Sequence, residues 1–256
     1  MYLEKKTIKQ DSLYTTISSC RICRAKNLKT FLEFGNMPLA GGFIKKEDLS
    51  KEKTFPLTVV FCETCKETQI LETISSTILF KDYRFVSSTT NTLSNHFAQY
   101  AKTMKQKFLK KNSLVVEFGS NDGVLLKPFN DLGIKAIGFE PAKNIALLAK
   151  QKCCEIVNDF FNSATAQQIK KKHGEASLIC ANNVFAHIDD MHEPMKGIKL
   201  LLKDDGVFVF EVHYLVDLLE QFQFDMIYHE HMMHHSLTSL SYLVNFFDME
   251  IFDVLR

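Results

Sequence analysis

Hydrophobic and polar positions follow a regular alternation from residue 114 onward, with short apolar runs separated by amphipathic stretches. Short apolar runs predict buried strands, and the stretches between them predict helices. Strands are predicted at residues 114–118, 136–140, 177–181 and 206–211, and the run at 249–254 is predicted to be a further strand of the core. Strands that alternate with helices form right-handed βαβ units, so residues 112–256 are expected to fold as an α/β core with a parallel sheet.

The first 111 residues show a different pattern. Residues 1–80 contain short β-like runs such as 55–61 and a predicted turn at 35–38, which begins with glycine and ends with proline. In residues 81–111 apolar side chains recur at helical spacing, which predicts a helical connection. The sequence is thus predicted to comprise a small N-terminal domain, a helical connection and the α/β core.

Composition and charge narrow the possible functions. Apolar residues make up 46% and charged residues 24% of the chain, the balance of an ordinary globular protein. The formal net charge of +1 gives no excess of positive charge for binding nucleic acid or a membrane surface. The first residues lack an apolar signal core, and no apolar run is long enough to span a bilayer, so a cytoplasmic location is expected.

Four of the seven cysteines form two C-x-x-C pairs, Cys20 with Cys23 and Cys62 with Cys65. In a cytoplasmic protein such pairs are more typical of metal binding than of disulfides. Two residues between the thiols let one tight turn aim both sulfurs at one ion, so two turns supply four thiolates for a structural Zn²⁺. The loop between the pairs is longer than in a compact zinc ribbon, and four unrelated buried thiols are the alternative.

A second candidate site follows the first strand of the core. There Gly119 and Gly123 give the strand–Gly-x-x-x-Gly–helix form, in which missing Cβ atoms let a ligand approach the backbone. The second strand ends in Glu140, at the distance where a carboxylate can bind both hydroxyls of a ribose. The absence of a G-x-G-x-x-G fingerprint and of a P-loop lysine points away from dinucleotides and ATP. An α/β domain without a cofactor is the alternative.

Ligands of such sheets bind beyond the carboxyl ends of the strands. The candidate cofactor-binding residues at these ends are Glu117, Gly119, Asn121, Asp122, Gly123, Glu140, Pro141, Asp159, Phe160, Asn182 and Asn183.

A histidine-rich segment, residues 228–235, follows the strand at 206–211. It contains His-Glu-His-Met-Met, so Met233 replaces the second histidine of a zinc-protease H-E-x-x-H motif, and that function is rejected. A packed or solvated turn is the alternative to an active site in this segment.

These segments together resemble the nucleotide-sugar C-methyltransferase family, which builds branched deoxysugars. The resemblance spans nearly the whole chain. It is carried by the two cysteine pairs and by residues 37–40, 55–57, 82–88, 116–123, 138–141, 181–188 and 228–231.

The resemblance implies a class I methyltransferase core with a Rossmann-like sheet, S-adenosylmethionine as cofactor, a structural zinc and a nucleotide-linked keto-sugar substrate. It also implies C-methylation through an enolate. His231 matches the base, with a pKa near neutrality suited to that role, and Tyr228 would steady the enolate or relay the proton. Glu230 would orient the sugar or His231, and His187 would bind the ketone oxygen. Tyr83 matches a further active-site residue.

The chain departs from this family in two places. Phe85 stands where the family has a second tyrosine. Family members also continue with a second Rossmann-like domain that helps to hold the nucleotide-sugar, and the seventh, antiparallel strand of a class I sheet is not found before Arg256. The expectation is that the chain is a truncated or split product, or that a separate chain or domain supplies that region.

Two other functions stay open from the sequence. A sugar or small-molecule O- or N-methyltransferase would use the same cofactor pocket without a base for a carbon-bound proton. An inactive remnant would act as a binding module through its zinc domain.

Overall fold

A computed structural model describes residues 13–41, 43–79, 85–152 and 154–256. The strands are β1 (Tyr14–Thr16), β2 (Leu28–Pro38), β3 (Thr54–Cys62), β4 (Thr68–Ile70), β5 (Glu72–Ile74), β6 (Leu114–Phe118), β7 (Lys135–Phe139), β8 (Glu155–Val157), β9 (Ala176–Asn182), β10 (Leu202–Glu211) and β11 (Met233–His234). The α-helices are α1 (Ser76–Leu79), α2 (Asn91–Phe108), α3 (Leu126–Asp131), α4 (Lys143–Gln151), α5 (Ser163–His173), α6 (His192–Leu201), α7 (Leu215–Glu220) and α8 (Leu237–Phe246). None of the helices in these ranges combines the length and apolar character needed to cross a membrane.

The centre of the fold is a five-stranded parallel sheet with the strand order β10-β9-β6-β7-β8. Four of its strands correspond to predicted ones, and the α/β fold class is confirmed. Side chains such as Phe97 and Phe129 attach α2, α3 and α4 to one face of the sheet. Side chains such as Ile169 and Ile198 attach α5, α6 and α8 to the other face. Every residue of β6 is buried, as expected for a parallel strand covered on both sides.

The N-terminal part contains a four-stranded antiparallel sheet with the order β11-β4-β3-β2 and a two-stranded ribbon of β1 and β5. The edge strand β11 comes from the far end of the chain, and it pairs Met233 with Gln69. Because β11 lies inside the histidine-rich segment, the N-terminal sheet fixes that segment. The segment ends at Ser236, whose hydroxyl caps α8 by accepting a hydrogen bond from the amide of Ser239.

The turn predicted at residues 35–38 is wrong. These residues are the end of β2, which continues through an irregularity in its register with β3 between Glu33 and Asn36. Gly35 has φ of 72° there. A residue without a Cβ adopts this left-handed conformation at little cost, so the strand bulges and does not turn back.

The prediction of a strand at residues 249–254 is also wrong, because no strand is formed over this range. A strand needs a neighbour for its backbone hydrogen bonds, and within the described ranges the edge strand β10 pairs only with β9. The apolar pattern has another cause: Met249 and Ile251 pack against the core beside α8.

In the predicted helical connection, α2 occupies Asn91–Phe108, and residues 81–84 lie outside the described part.

Candidate active site and zinc site

A cavity of about 1110 Å³ lies at the carboxyl ends of the parallel strands, between the core and the N-terminal part. Its walls come from both, since Glu140 and Tyr14 each line it. The predicted site residues that line it are Glu117, Gly119, Asn121, Glu140, Pro141, Asp159, Phe160, Asn182, Asn183, His187, Tyr228, Glu230 and His231. The structure thus brings most of the predicted cofactor-binding and catalytic residues into one space. Tyr83 lies outside the described residues.

Glu140 stands directly after β7, with its carboxylate held by two backbone amides. Oε1 accepts a hydrogen bond from the Ala142 amide at 2.8 Å, and Oε2 accepts one from the Asn121 amide at 3.1 Å. Burial raises the pKa of Glu140, and the two amides act against that shift. Each carboxylate oxygen can accept more than one hydrogen bond, so Glu140 can still accept hydrogen bonds from the two hydroxyl groups of a ribose.

Two further polar side chains in the cavity wall have unsatisfied atoms. Glu117 Oε2 and both polar side-chain atoms of Asn182 are buried and have no hydrogen-bond partner among the described residues. Burial, followed by the nearby carboxylates of Glu140 and Glu211, raises the pKa of Glu117 well above its usual range. Since buried polar groups are nearly always hydrogen-bonded, these atoms fit a polar cofactor that would bind against them.

Three of the predicted cofactor residues have a different environment from the one expected. Gly119 and Gly123 have φ of 68° and 79°, and a Cβ there would lie 2.7 Å from the Val184 side chain and 2.8 Å from Cys154 Sγ respectively. Both glycines are therefore required by backbone conformation and by packing against protein. Neither Gly123 nor Asp122 lines the cavity.

The buried carboxylate of Asp122 contacts the Lys152 ammonium and the Ser88 hydroxyl. It ties the short 3₁₀ turn before α2 to the loop after β6, which is a structural role. The sequence motif could not distinguish Asp122 from Asn121, which does line the cavity.

His231 and Tyr228 form a hydrogen-bonded pair. The Tyr228 hydroxyl lies 2.8 Å from His231 Nε2, and His231 Nδ1 lies 2.9 Å from the carbonyl oxygen of Met226. A carbonyl only accepts, so Nδ1 of the neutral ring carries the proton and Nε2 accepts from Tyr228. The second hydrogen bond fixes the tautomer and the orientation of the imidazole.

The expectation of an unperturbed pKa for His231 is wrong. Burial lowers its pKa to about 3, with smaller contributions from His187 and His213. The environment of a buried ring among other imidazoles disfavours the charged form. His231 is therefore neutral throughout the neutral pH range, with Nε2 unprotonated.

Two more histidines surround this pair. His187 ends a short 3₁₀ helix (Phe185–His187), and its ring centroid is 5.0 Å from that of His231. Burial lowers the pKa of His187 to about 4. His213, which the sequence analysis missed, stacks on His231 with centroids 4.6 Å apart, and its Nε2 is 3.2 Å from His234 Nδ1. The signal that could have found His213 is its place just after β10, at the same edge of the sheet.

Glu230 lies between the cavity and the N-terminal part. A Cβ on Gly41 would lie 3.0 Å from its Oε1, so the loop after β2 packs directly against this carboxylate. Burial raises the pKa of Glu230. A carboxyl group in this environment suits hydrogen bonding to a polar ligand in the cavity.

The four paired cysteines meet in one cluster. The ligand atoms of Cys20, Cys23, Cys62 and Cys65 all lie within 4.8 Å of one another. Gln69 Nε2 also donates a hydrogen bond to Cys20 Sγ at 3.1 Å. Four thiols at this spacing match a closed tetrahedral zinc site, in which every coordination position is filled by protein.

A parallel sheet with a ligand-sized cavity at its carboxyl edge is the arrangement of the class I methyltransferase fold, and the four-cysteine cluster is compatible with zinc binding. Residues 93–252 match the family model described as "Methyltransferase domain", and residues 20–80 match the one described as "Putative zinc binding domain". The chain belongs to the family of the first model.

A curated relative is C-methyltransferase NovU of Streptomyces niveus, which is 37% identical over 240 residues. The match covers 93% of this chain and 57% of NovU, so the chain spans little more than half of that protein.

Among solved structures, a SAM-dependent methyltransferase from Archaeoglobus fulgidus is similar with 15% identity and a TM-score of 0.46, over 59% of this chain and 68% of that one. The glycopeptide N-methyltransferase MtfA, solved with S-adenosylmethionine, shows 11% identity and a TM-score of 0.39, over 52% of this chain and 59% of that one.

Replacing Glu140 with alanine is expected to weaken S-adenosylmethionine binding by on the order of 2–4 kcal/mol, because two charge-assisted hydrogen bonds to the ribose are lost. Titration calorimetry of the purified chain measures this affinity. Glu155→Ala, an exposed carboxylate at the start of the neighbouring strand, is the matched control and should bind normally. Unchanged affinity in Glu140→Ala would reject the assignment.

Proposed function

We propose that this chain is the methyltransferase part of an enzyme that methylates a carbon of a nucleotide-linked keto-deoxysugar through an enolate. The observation that carries the proposal is the Tyr228–His231 pair, with its fixed tautomer, in the same cavity as the residues predicted to bind the cofactor. The relative named a C-methyltransferase, at 37% identity, supports it.

Carbon methylation next to a ketone needs a base, because a carbon-bound proton is far too weakly acidic to leave unaided. S-adenosylmethionine supplies an electrophilic methyl group when bound. The chain supplies an acceptor for the proton, since Nε2 of neutral His231 already accepts a hydrogen bond from the Tyr228 hydroxyl. As Tyr228 takes the proton from the substrate carbon, its own proton passes to His231, so charge and protons balance.

The neighbouring side chains have roles in this scheme. His187, 5.0 Å from His231 between ring centroids, would donate a hydrogen bond to the ketone oxygen and stabilise the enolate. Glu230 would orient the sugar. The cavity of about 1110 Å³ exceeds the roughly 300–1,000 Å³ typical of a single ligand site, which supports binding cofactor and acceptor together.

The charge of the cavity bears on how a nucleotide-sugar would be held. Its described lining includes seven carboxylates and neither lysine nor arginine: Glu117, Glu140, Asp159, Asp189, Asp190, Glu193 and Glu230. Three of these carboxylates, Asp189, Asp190 and Glu193, are paired with Arg21, Arg24 and Lys196, which do not line the cavity, so its described wall offers a diphosphate no cationic side chain. We infer that only the sugar enters this cavity, and that the nucleotide is held by residues elsewhere, in a separate domain or chain that corresponds to the rest of NovU.

The test is to incubate the chain with labelled S-adenosylmethionine and a panel of nucleotide-linked 4-keto sugars, and to locate the label by NMR. Label on a carbon next to the ketone is expected. The 4-hydroxy counterpart of each sugar is the matched control and should not react, because it has no acidic carbon-bound proton.

Label on oxygen or nitrogen would instead identify an O- or N-methyltransferase that uses the same pocket. Cofactor binding without transfer to any keto sugar would contradict the proposal for this chain. Loss of cofactor binding as well would favour the inactive binding module.

A further inference from the structure

Arg21 lies between the first two cysteines of the zinc cluster, and it is 1% exposed. Its guanidinium makes hydrogen bonds to two backbone carbonyls of the N-terminal strands, those of Ile70 and Glu72. It also donates to Thr73 Oγ1 at 2.8 Å and to Asp189 Oδ1 at 3.1 Å. The turn formed by residues 20–23, which carries the first two cysteines, is called the zinc knuckle below. A single buried cation therefore joins this knuckle to strands β4 and β5 and to a loop of the core.

Asp189 and Thr73 connect Arg21 to the cavity. Thr73 Oγ1 donates to the same Asp189 oxygen at 2.8 Å, so the three side chains form a closed hydrogen-bonded group. Both Asp189 and Thr73 line the cavity. Asp189 is two residues beyond His187, and the backbone between them is a single short loop.

The same loop is tied to the zinc knuckle and to the histidine-rich segment at two more points. Beyond Asp189, His192 Nε2 lies 2.7 Å from the carbonyl oxygen of Ile22, which is inside the first C-x-x-C turn. Before His187, the Ala186 carbonyl accepts a hydrogen bond from the Met232 amide at 2.8 Å. The position of His187 is thus set between the knuckle and the segment that carries Tyr228 and His231.

A buried guanidinium resists any movement that separates it from its partners. Asp189 is 38% exposed, but separating it from Arg21 would leave the buried guanidinium without its counter-charge, which is strongly unfavourable. Arginine also presents its donors in a rigid planar fork, so a shift of the knuckle would have to carry Asp189 with it. The geometry of the zinc knuckle is thereby transmitted to the cavity wall.

We propose that Arg21 is a positioning residue for the side of the cavity that would hold the methyl acceptor. Through Asp189 and Thr73, Arg21 fixes the position of the loop that carries His187 relative to the zinc knuckle. Binding of a methyl acceptor on this side of the cavity rests on the function proposed above, whereas the coupling of Arg21 to His187 does not. The zinc region is then part of the apparatus that aligns the acceptor, in addition to stabilising its own fold.

The test compares Arg21→Met and Thr73→Val with Arg24→Met. Arg24 is the matched control because it lies in the same knuckle and pairs with Asp190, but both side chains of that pair are about half exposed, at 49% and 54%. Each chain is labelled with ¹⁵N-histidine, and the imidazole signal of His187 is assigned by its loss in His187→Gln. Zinc content and S-adenosylmethionine affinity are measured on the same samples.

Arg21→Met should retain zinc and cofactor affinity but shift or broaden the His187 signal, and Thr73→Val should do so to a smaller extent. Arg24→Met should leave the signal unchanged. With a reactive keto sugar, kcat/KM for the acceptor should fall about 100-fold in Arg21→Met, as expected when a reacting group is misplaced by about 1 Å. This loss should include a higher KM for the acceptor, with an unchanged Kd for the cofactor.

An unchanged His187 signal in both Arg21→Met and Thr73→Val, with zinc retained, would overturn the proposal. If Arg21→Met loses its zinc or fails to fold, Thr73→Val decides the question, since it removes only the bridging hydroxyl. Should no keto sugar be methylated by the unaltered chain, the proposed function fails, and the NMR comparison still tests the coupling.

Discussion

Replacing His231 with asparagine is expected to slow methyl transfer by roughly 10²–10⁴-fold, the usual cost of losing a general base, with near-normal cofactor affinity. The reason is that Nε2 is the unprotonated nitrogen of the His231 ring, and it accepts a hydrogen bond from the Tyr228 hydroxyl. Tyr228→Phe should have an effect in the same direction. Single-turnover assays with labelled cofactor measure the rate, and calorimetry measures the affinity.

Deprotonation can be followed without methyl transfer. Slow exchange of the substrate's carbon-bound hydrogen with deuterated solvent should occur in the unaltered chain and disappear in His231→Asn. His96→Asn is the control, because this exposed histidine pairs with Glu211 and does not line the cavity. If exchange and methylation both survive in His231→Asn, His231 does not receive the proton that Tyr228 relays, and the proposed pair is wrong.

The pH dependence of the reaction has a definite sign. Because burial holds the pKa of His231 at about 3, the ring does not gain a proton as the pH falls from 7 toward 5. Its base form is retained there, so the acid limb of kcat/KM should lie below pH 6.5, the ordinary value for histidine. A limb centred near 6.5 would show that the ring is more solvated during turnover than in the structure.

Removing the second cysteine pair, by Cys62→Ser with Cys65→Ser, is expected to abolish zinc binding and to unfold the N-terminal part. A structural zinc contributes on the order of 10 kcal/mol to the folding of a small domain. The four sulfurs also belong to the same apolar cluster as the core of the α/β sheet, so the damage should extend to that core. Metal analysis should give about one zinc per unaltered chain, and circular dichroism should report the loss of structure.

Cys154→Ala is the control for this experiment, since that thiol is buried beside Gly123 in the core, away from the cluster. It should keep the metal. Zinc retained in full by the doubly substituted chain, or an unaltered chain without zinc, would contradict the site.

The parts of the fold that could be predicted are those determined by local sequence. The strands β6, β7 and β9 are almost fully buried, so each appears as a short and mostly apolar run. The cysteine pairs were equally clear, because the geometry of a C-x-x-C turn depends on only two intervening residues. The apolar run at 249–254 shows the limit of this reasoning, since packing against a core gives the same pattern as a strand.

The active site was only partly predictable, because its properties depend on groups far apart in the sequence. The glycines at 119 and 123 were recognised correctly as special, but what they face, Val184 and Cys154, is set by the tertiary fold. The low pKa of His231 likewise arises from burial beside His187 and His213. No spacing in the sequence indicated that these rings would stack.

The pairing of β11 with β4 has a consequence for how the protein is made. Gln69 and Met233 lie opposite each other in the sheet, beside the hydrogen bond from the Ile70 amide to the Met232 carbonyl, yet more than half of the chain separates the two strands. During synthesis, the zinc-binding strands leave the ribosome long before the strand that completes their sheet. Contacts between such distant residues form slowly, and a strand edge left unpaired in the meantime is prone to pair with other chains. The histidine-rich segment should therefore be among the last parts to reach its native position, and active enzyme should appear only after this final strand is added.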